Sequence, residues 1–160
     1  MFETFTPGTR RAFEAAVTES RLRGDRRVGT DHLLIGLLYE PEPATSLALG
    51  VDLAAARAAG TALDGAALAS IGFDVPGVPR LPGTGPVPAA PKRATLTSGA
   101  RGVLSRAAKL AAASKGRNIT TGHLVLALLD AEQPDPAAAL LAELGVDRGA
   151  VRERLLRTDE

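Results

Sequence analysis

The side chains best suited to proton transfer or metal binding in this 160-residue sequence are two histidines, His32 and His123. They occupy equivalent positions of an internal repeat, and Asp31 precedes the first of them. Two imidazoles and one carboxylate could bind a metal if the repeats met across a twofold axis. Zinc ligands usually lie closer together in sequence, so a metallohydrolase is the least favoured interpretation. We expect each histidine to be buried near a helix start and hydrogen-bonded to backbone or to the neighbouring loop.

The sequence shows no other catalytic motif. The glycines of the segment Gly83–Gly85 are followed by prolines and not by the Lys-Ser/Thr pair of a phosphate-binding loop. A G-x-S-x-G nucleophile motif is missing, and there is no cysteine to act as a nucleophile or thiolate ligand. We therefore predict a protein that is not an enzyme and needs no cofactor or metal.

The densest basic segment, Arg21–Arg27, contains four arginines and could contact nucleic acid. Glu14, Glu19 and Asp25 interleave with these arginines, which is more typical of a solvated helix face that ends in cations. The net charge is only +1, and aromatic residues make up 3% of the chain, so neither a strong field nor base-stacking platforms are available. Nucleic-acid binding through the Arg21–Arg27 segment is kept as the alternative function.

An internal repeat organises the chain. The segment Phe5–Leu38 aligns with Leu96–Leu129 without a gap, at a constant offset of 91 positions. Ten of the 34 aligned pairs are identical: Thr6/Thr97, Gly8/Gly99, Arg10/Arg101, Ala16/Ala107, Arg26/Arg117, Thr30/Thr121, His32/His123, Leu33/Leu124, Leu37/Leu128 and Leu38/Leu129. The sequence therefore predicts two copies of one unit.

Apolar residues in each copy follow helical spacing, and strand signals are nearly absent, so we predict an all-α fold of two tandem four-helix repeats related by a pseudo-twofold axis. Thr6 and Thr97 are predicted N-caps of the first helix of each copy. Thr30 and Thr121 are predicted N-caps of the second helix, over residues 31–40 and 122–130. Two shorter helices follow in each copy.

The predicted boundaries are residues 1–75 for repeat 1, 76–95 for a linker and 96–160 for repeat 2. The linker contains six prolines, which exclude a continuous helix or central strand. Residues 64–74 of repeat 1 are interpreted as an insertion. The second helix of each copy is apolar on nearly all sides, so its leucines should form the core: Leu34, Leu37, Leu38, Leu124, Leu128 and Leu129.

The N-terminus has no apolar targeting segment, and the longest apolar runs are much shorter than the roughly 20 residues of a membrane span. The absence of cysteine is consistent with a reducing compartment. We therefore expect a cytoplasmic protein without membrane partners.

Two stretches of sequence point to a family. The start Met1–Thr6 and the segment Gly29–Leu38 resemble the N-terminal repeat domain of the Clp/Hsp100 unfoldases, most closely the ClpC type. The segment Thr120–Leu129 is similar to the same motif in the second repeat of that domain. The resemblance covers nearly the whole chain and implies a compact all-helical domain of two four-helix repeats.

The resemblance implies a docking module that binds Clp ATPases, Clp substrates or adaptors. Such a module would act as an adaptor, decoy or regulator of a Clp protease, or as a sink for ligands that target the unfoldase. The initiator methionine and the departures from the family pattern favour a free-standing protein over a segment of a larger unfoldase.

One departure concerns phosphoarginine. Family members that bind this group have a G-T-E-H motif in each repeat, whose glutamate pairs with the guanidinium. Asp31 replaces the first glutamate and Gly122 replaces the second. The resemblance therefore implies weak phosphoarginine binding, or none, at a first site formed by Asp31, Thr30 and Arg26, with Thr121 retained at the second.

A second family surface is a groove between the repeats that cyclic-peptide antibiotics of the cyclomarin kind occupy. The resemblance places Phe2 on its border, with Leu96 in the position of a second aromatic residue. Cyclic peptides are therefore candidate ligands at Phe2 and Leu96, whereas Phe5 and Phe13 are expected to pack in the core.

Overall fold

The computed structural model describes residues 2–39, 42–73 and 94–158. Within these ranges a 3₁₀ turn at Phe2–Thr4 is followed by eight α-helices. The helices of repeat 1 are α1 (Pro7–Leu22), α2 (Thr30–Gly36), α3 (Pro43–Leu49) and α4 (Leu53–Ser70). Those of repeat 2 are α5 (Ser98–Ala113), α6 (Thr121–Leu129), α7 (Pro136–Glu143) and α8 (Arg148–Thr158).

The predicted all-α fold of two four-helix repeats is confirmed. Helix α5 begins and ends at positions equivalent to the ends of α1 in the internal repeat, and α6 begins at the equivalent of the first residue of α2. Thr6 and Thr97 are the N-caps of α1 and α5, as predicted. Each threonine oxygen accepts a hydrogen bond from the backbone N–H three residues later and so satisfies one free donor of the first turn.

The prediction that Thr30 and Thr121 are N-caps was wrong by one position. Gly29 caps α2 and Thr120 caps α6. Thr30 and Thr121, which are identical in the two repeats, therefore occupy the first position of their helices. The Thr120 hydroxyl accepts the backbone N–H of His123 at 3.2 Å, so the cap is already provided. The hydroxyls of Thr30 and Thr121 are thereby available for contacts outside their own helices.

Two helix lengths differ from the prediction. Helix α2 ends at Gly36 because its last turn tightens: the N–H of Leu38 bonds to the carbonyl of Ile35, three residues back. Helix α4 has 18 residues and is not short, since the predicted insertion simply extends it to Ser70. The predicted linker, except for its last two residues, lies outside the described residues.

The core predicted from the second helices is confirmed. All six leucines named above are at most 3% exposed, and Phe5 and Phe13 are also buried. Buried residues of both repeats form one continuous hydrophobic cluster. The two repeats therefore share a single core.

The repeats also exchange backbone hydrogen bonds in two equivalent places. Val28 of repeat 1 donates to the carbonyl of Thr95 and accepts the N–H of Thr97, at 2.8 and 3.0 Å. At the equivalent position of repeat 2, Ile119 bonds in the same way to Thr4 and Thr6, at 2.7 and 3.1 Å. Each repeat thus fixes the residues that precede the first helix of the other repeat.

Among the described residues, no single helix is long and apolar enough to cross a membrane. Only α3 and α4 taken together, with a bend of 48° between them, reach the required length and composition.

Truncation of a central leucine tests the shared core. Leu37→Ala should lower the free energy of unfolding by about 2–5 kcal/mol, because the cavity cannot fully collapse among buried neighbours. Leu47→Ala is the matched control, since Leu47 is 77% exposed and its loss should change the free energy by less than about 0.5 kcal/mol. Urea denaturation measures both values. Equal stabilities of the two variants would contradict the assignment of α2 to the core.

Candidate functional site

Thr30, a predicted binding residue, connects the two repeats. Its hydroxyl donates to Oδ1 of Asp135 at 2.7 Å and accepts the backbone N–H of Ala137 at 3.1 Å. Asp135 is the N-cap of α7, and Ala137 belongs to the first turn of that helix. A side chain at the start of α2 therefore helps to cap α7 in the opposite repeat.

Thr121 makes the reciprocal contact. Its hydroxyl donates to Oε2 of Glu42 at 2.5 Å and lies 3.0 Å from the hydroxyl of Thr45. Glu42 occupies the N-cap position of α3. The first residue of α6 is thus bound to the start of α3, again across the boundary between the repeats.

Two glycines of the internal repeat make room for these carboxylates. A Cβ atom added to Gly8 would lie 1.9 Å from Oε1 of Glu42, and one added to Gly99 would lie 3.0 Å from Oδ2 of Asp135. Gly8 and Gly99 lie in the first turns of α1 and α5. Each carboxylate therefore lies where the N-termini of three helices converge, and we call these two places the carboxylate seats.

The histidines have the structural role expected for them. Nδ1 of His32 accepts the backbone N–H of Gly29 at 2.8 Å, and Nδ1 of His123 accepts that of Thr120 at 3.1 Å. Each ring so completes the cap of its helix in the way a glutamate does in a capping box. Because Nδ1 of His32 is an acceptor, Nε2 carries the proton, and it donates to Asp25 at 2.9 Å.

Asp31 is engaged by an arginine of its own chain. Oδ2 of Asp31 lies 2.9 Å from Nη1 of Arg23, and Nη2 of Arg23 lies 3.1 Å from Oδ2 of Asp64 on α4. The side chains of Arg23 and Asp31 are each only 18% exposed. Burial lowers the pKa of Arg23, but Asp31 and Asp64 outweigh this effect and keep that pKa above its ordinary value. We call this group the Arg23 cluster.

Repeat 2 has no charged residue at the positions that align with members of the Arg23 cluster. Ser114, Gly116 and Gly122 stand where repeat 1 has Arg23, Asp25 and Asp31. The two repeats therefore share the carboxylate seats, but only repeat 1 has charged residues at these three positions.

The basic segment is only partly available to an anionic partner. Arg23 is bound within the cluster, whereas Arg26 and Arg27 are exposed.

Within ranges 2–39, 42–73 and 94–158, no group of three or more His, Cys, Asp or Glu side chains could hold a metal.

A surface groove of about 570 Å³ runs along α1. Phe13 and Val17 provide its apolar floor, and two arginines, two glutamates and a threonine form the rim: Arg10, Arg21, Glu3, Glu14 and Thr18. Leu96, a predicted groove residue, is partly buried against the shared core. Of Phe2 the structure describes only the backbone, so the binding roles of Phe2 and Leu96 remain predictions.

Comparison with known proteins identifies the domain. Residues 95–159 match the model of the family described as the Clp repeat (R) N-terminal domain. Residues 95–159 therefore form a Clp repeat. A crystal structure of the N-terminal domain of the caseinolytic protease-associated chaperone ClpD from Arabidopsis thaliana is similar over 100% of both chains, with a TM-score of 0.73 and 19% sequence identity. Neither match indicates an enzyme family.

A buried carboxylate stabilises repeat 1. Glu19 is 4% exposed and accepts hydrogen bonds from the Tyr39 hydroxyl at 2.6 Å and from Nη2 of Arg57 at 3.0 Å. Burial alone would raise the pKa of Glu19. The hydrogen bonds from Arg57 and Tyr39 and the charge of Arg57 outweigh burial, so that pKa lies below its ordinary value of 4.5. This network joins α1, the turn after α2, and α4.

Sequence reasoning missed the two seat carboxylates and Arg23, although signals for them exist. Glu42 and Asp135 each precede a proline that opens a helix, which is the usual place of a capping acidic residue. Arg23 and Asp31 are both lost in repeat 2, as expected of residues that act together.

Glycine replacement tests the carboxylate seats. Alanine normally stabilises a helix by about 0.5–1 kcal/mol relative to glycine. Gly8→Ala should instead destabilise the domain by about 1 kcal/mol, because the new methyl group displaces Glu42 and breaks its hydrogen bond with the buried Thr121 hydroxyl. Urea denaturation measures the change.

Gly102→Ala on α5 is the control, since nothing lies within 4 Å of its added Cβ, and it should stabilise the domain. In a Glu42→Ala background, Gly8→Ala should become stabilising as well. Equal stabilisation by Gly8→Ala and Gly102→Ala in the natural sequence would refute the seat.

The Glu19 network predicts a pH dependence. Because the folded pKa of Glu19 is lowered, its contribution to stability is present above about pH 4.5 and is lost as the pH falls through the folded pKa. Glu19→Gln should cost about 1–3 kcal/mol at pH 7. The difference between the natural and variant proteins, measured by urea denaturation, should shrink below pH 4.5. A difference that stays constant down to pH 3 would show that Glu19 is not ionised in the folded domain.

Proposed function

We propose that this chain is a protein-binding module in substrate recognition by Clp proteases, acting as an adaptor, a decoy or a regulator, or as a sink for ligands of the unfoldase. The observation that carries the proposal is the groove along α1, on a domain that belongs to a chaperone-associated family by its matched repeat. Clp ATPases, their substrates and their adaptors are the proposed partners.

The groove has the properties of a site for a peptide segment. Its floor of Phe13 and Val17 can pack against an apolar side chain, and both charge signs on its rim can bind backbone or polar groups. Cyclic peptides are candidate ligands of the predicted groove between the repeats, at Phe2 and Leu96.

Phosphoarginine is not a proposed ligand. The carboxylate of Asp31 already binds Arg23, and the hydroxyl of Thr30 already binds Asp135. The corresponding residues of repeat 2 are no better placed, since Gly122 has no side chain and Thr121 binds Glu42. We therefore expect weak binding of this group or none, with the exposed Arg26 as the remaining predicted contact.

Charge reversal at the groove tests the proposed function. The immobilised protein should capture a Clp ATPase, a Clp substrate or an adaptor from a lysate of its source cells. Arg10→Glu, on the groove rim, should reduce this capture by about fivefold or more, because it reverses a charge beside the apolar floor. Arg101→Glu is the matched control, since Arg101 is exposed at the equivalent position of α5.

Three results would contradict the proposal. Equal loss of capture with Arg10→Glu and Arg101→Glu would exclude the groove as the binding surface. Capture of nucleic acid that is released steeply by salt would favour the alternative function of the Arg21–Arg27 segment. Capture of none of the proposed partners would exclude a role in Clp recognition.

A further inference from the structure

The Arg23 cluster places one guanidinium among several carboxylates from separate elements. Arg23 lies at the C-terminal end of α1, Asp31 in the first turn of α2, and Asp64 in the middle of α4. Two nitrogens of the guanidinium each bind a different carboxylate, at 2.9 and 3.1 Å, and Asp25 lies 3.9 Å from Nε. This two-pronged geometry suits a planar guanidinium and not a compact ammonium group.

Three carboxylates surround the Arg23 guanidinium. Those of Asp31, Asp64 and Asp25 lie 2.9, 3.1 and 3.9 Å from its nitrogens. If the guanidinium were removed, half-buried carboxylates would be left facing one another, which is unfavourable. The place that Arg23 fills is therefore a preformed site for a guanidinium group.

The same contact holds the long helix α4. Residues 65–73, which follow Asp64, are all exposed, and three of them are large apolar residues: Leu68, Ile71 and Phe73. Leu63 packs against the core, and Asp64 binds Arg23. The second half of α4 is thus attached to repeat 1 at its Leu63–Asp64 turn.

We propose that Arg23 is an internal plug: it fills the guanidinium site of repeat 1 and closes that site to arginine side chains of other proteins. The same contact attaches the second half of α4 to the rest of the domain. An arginine of a partner reaches Asp31 and Asp64 only by displacing Arg23. If another guanidinium group displaces Arg23, the second half of α4 stays in place. If Arg23 is removed and nothing replaces it, the second half of α4 is released. This proposal is independent of the groove on α1.

Chemical rescue tests the plug. In Arg23→Ala, amide hydrogen exchange over residues 65–70 should be faster than in the natural protein by about tenfold. Guanidinium ion at about 50 mM should recover at least about a third of the lost protection, because it binds the vacated site and stabilises the bound state by mass action. Ammonium at the same concentration should recover none, and guanidinium should leave the natural protein unchanged.

Two variants act as controls. Arg27→Ala removes an exposed arginine of the same loop and should exchange like the natural protein. Arg23→Lys keeps the charge without the two-pronged geometry, so it should exchange at an intermediate rate and respond less to guanidinium.

Equal effects of guanidinium and ammonium on Arg23→Ala would overturn the guanidinium site. Unchanged exchange over residues 65–70 in Arg23→Ala would overturn the role of the plug in holding α4. If Arg23→Ala does not fold, Arg23→Lys carries the same test, and a response to guanidinium no larger than that to ammonium would overturn the proposal.

Discussion

The two carboxylate seats are the constraint on which the arrangement of the helices depends. Three helix N-termini converge on each seat, and each N-terminus carries partial positive charge and backbone donors without helical partners. Without an anion these ends would repel one another. Glu42 and Asp135 supply the anion from within the chain, and the threonine that bonds to each of them comes from the opposite repeat.

The seats explain why particular residues recur in both repeats. Gly8 and Gly99 leave space for a carboxylate, Thr30 and Thr121 bind it, and His32 and His123 cap the helices that present those threonines. The threonine and histidine that recur in both repeats thus serve the assembly of the domain. Partner recognition is free to differ between the repeats, and the groove on α1 and the Arg23 cluster are features of repeat 1.

The sequence predicted the fold well because the repeat and the helical periodicity are local patterns. The first helices, the buried leucines and the capping threonines Thr6 and Thr97 all follow from such patterns. The N-cap predicted at Thr30 was wrong by one position, and the contact of Thr30 with Asp135 was missed because 105 positions separate them and only the tertiary structure brings them together. The contact of Arg23 with Asp64, 41 positions away, was missed for the same reason, whereas Asp31 is only 8 positions from Arg23 but lies on the next helix, beyond a loop.

Native-state hydrogen exchange with increasing denaturant tests most directly whether the seats unite the repeats. The slowest amides of α2 and α6 should open with the same free energy and the same denaturant dependence, because neither repeat keeps its helix ends capped without the other. Thr121→Val should lower the opening free energy in both helices equally. A decrease confined to α6 and α3, with α2 unchanged, would contradict the account and show two repeats that unfold independently.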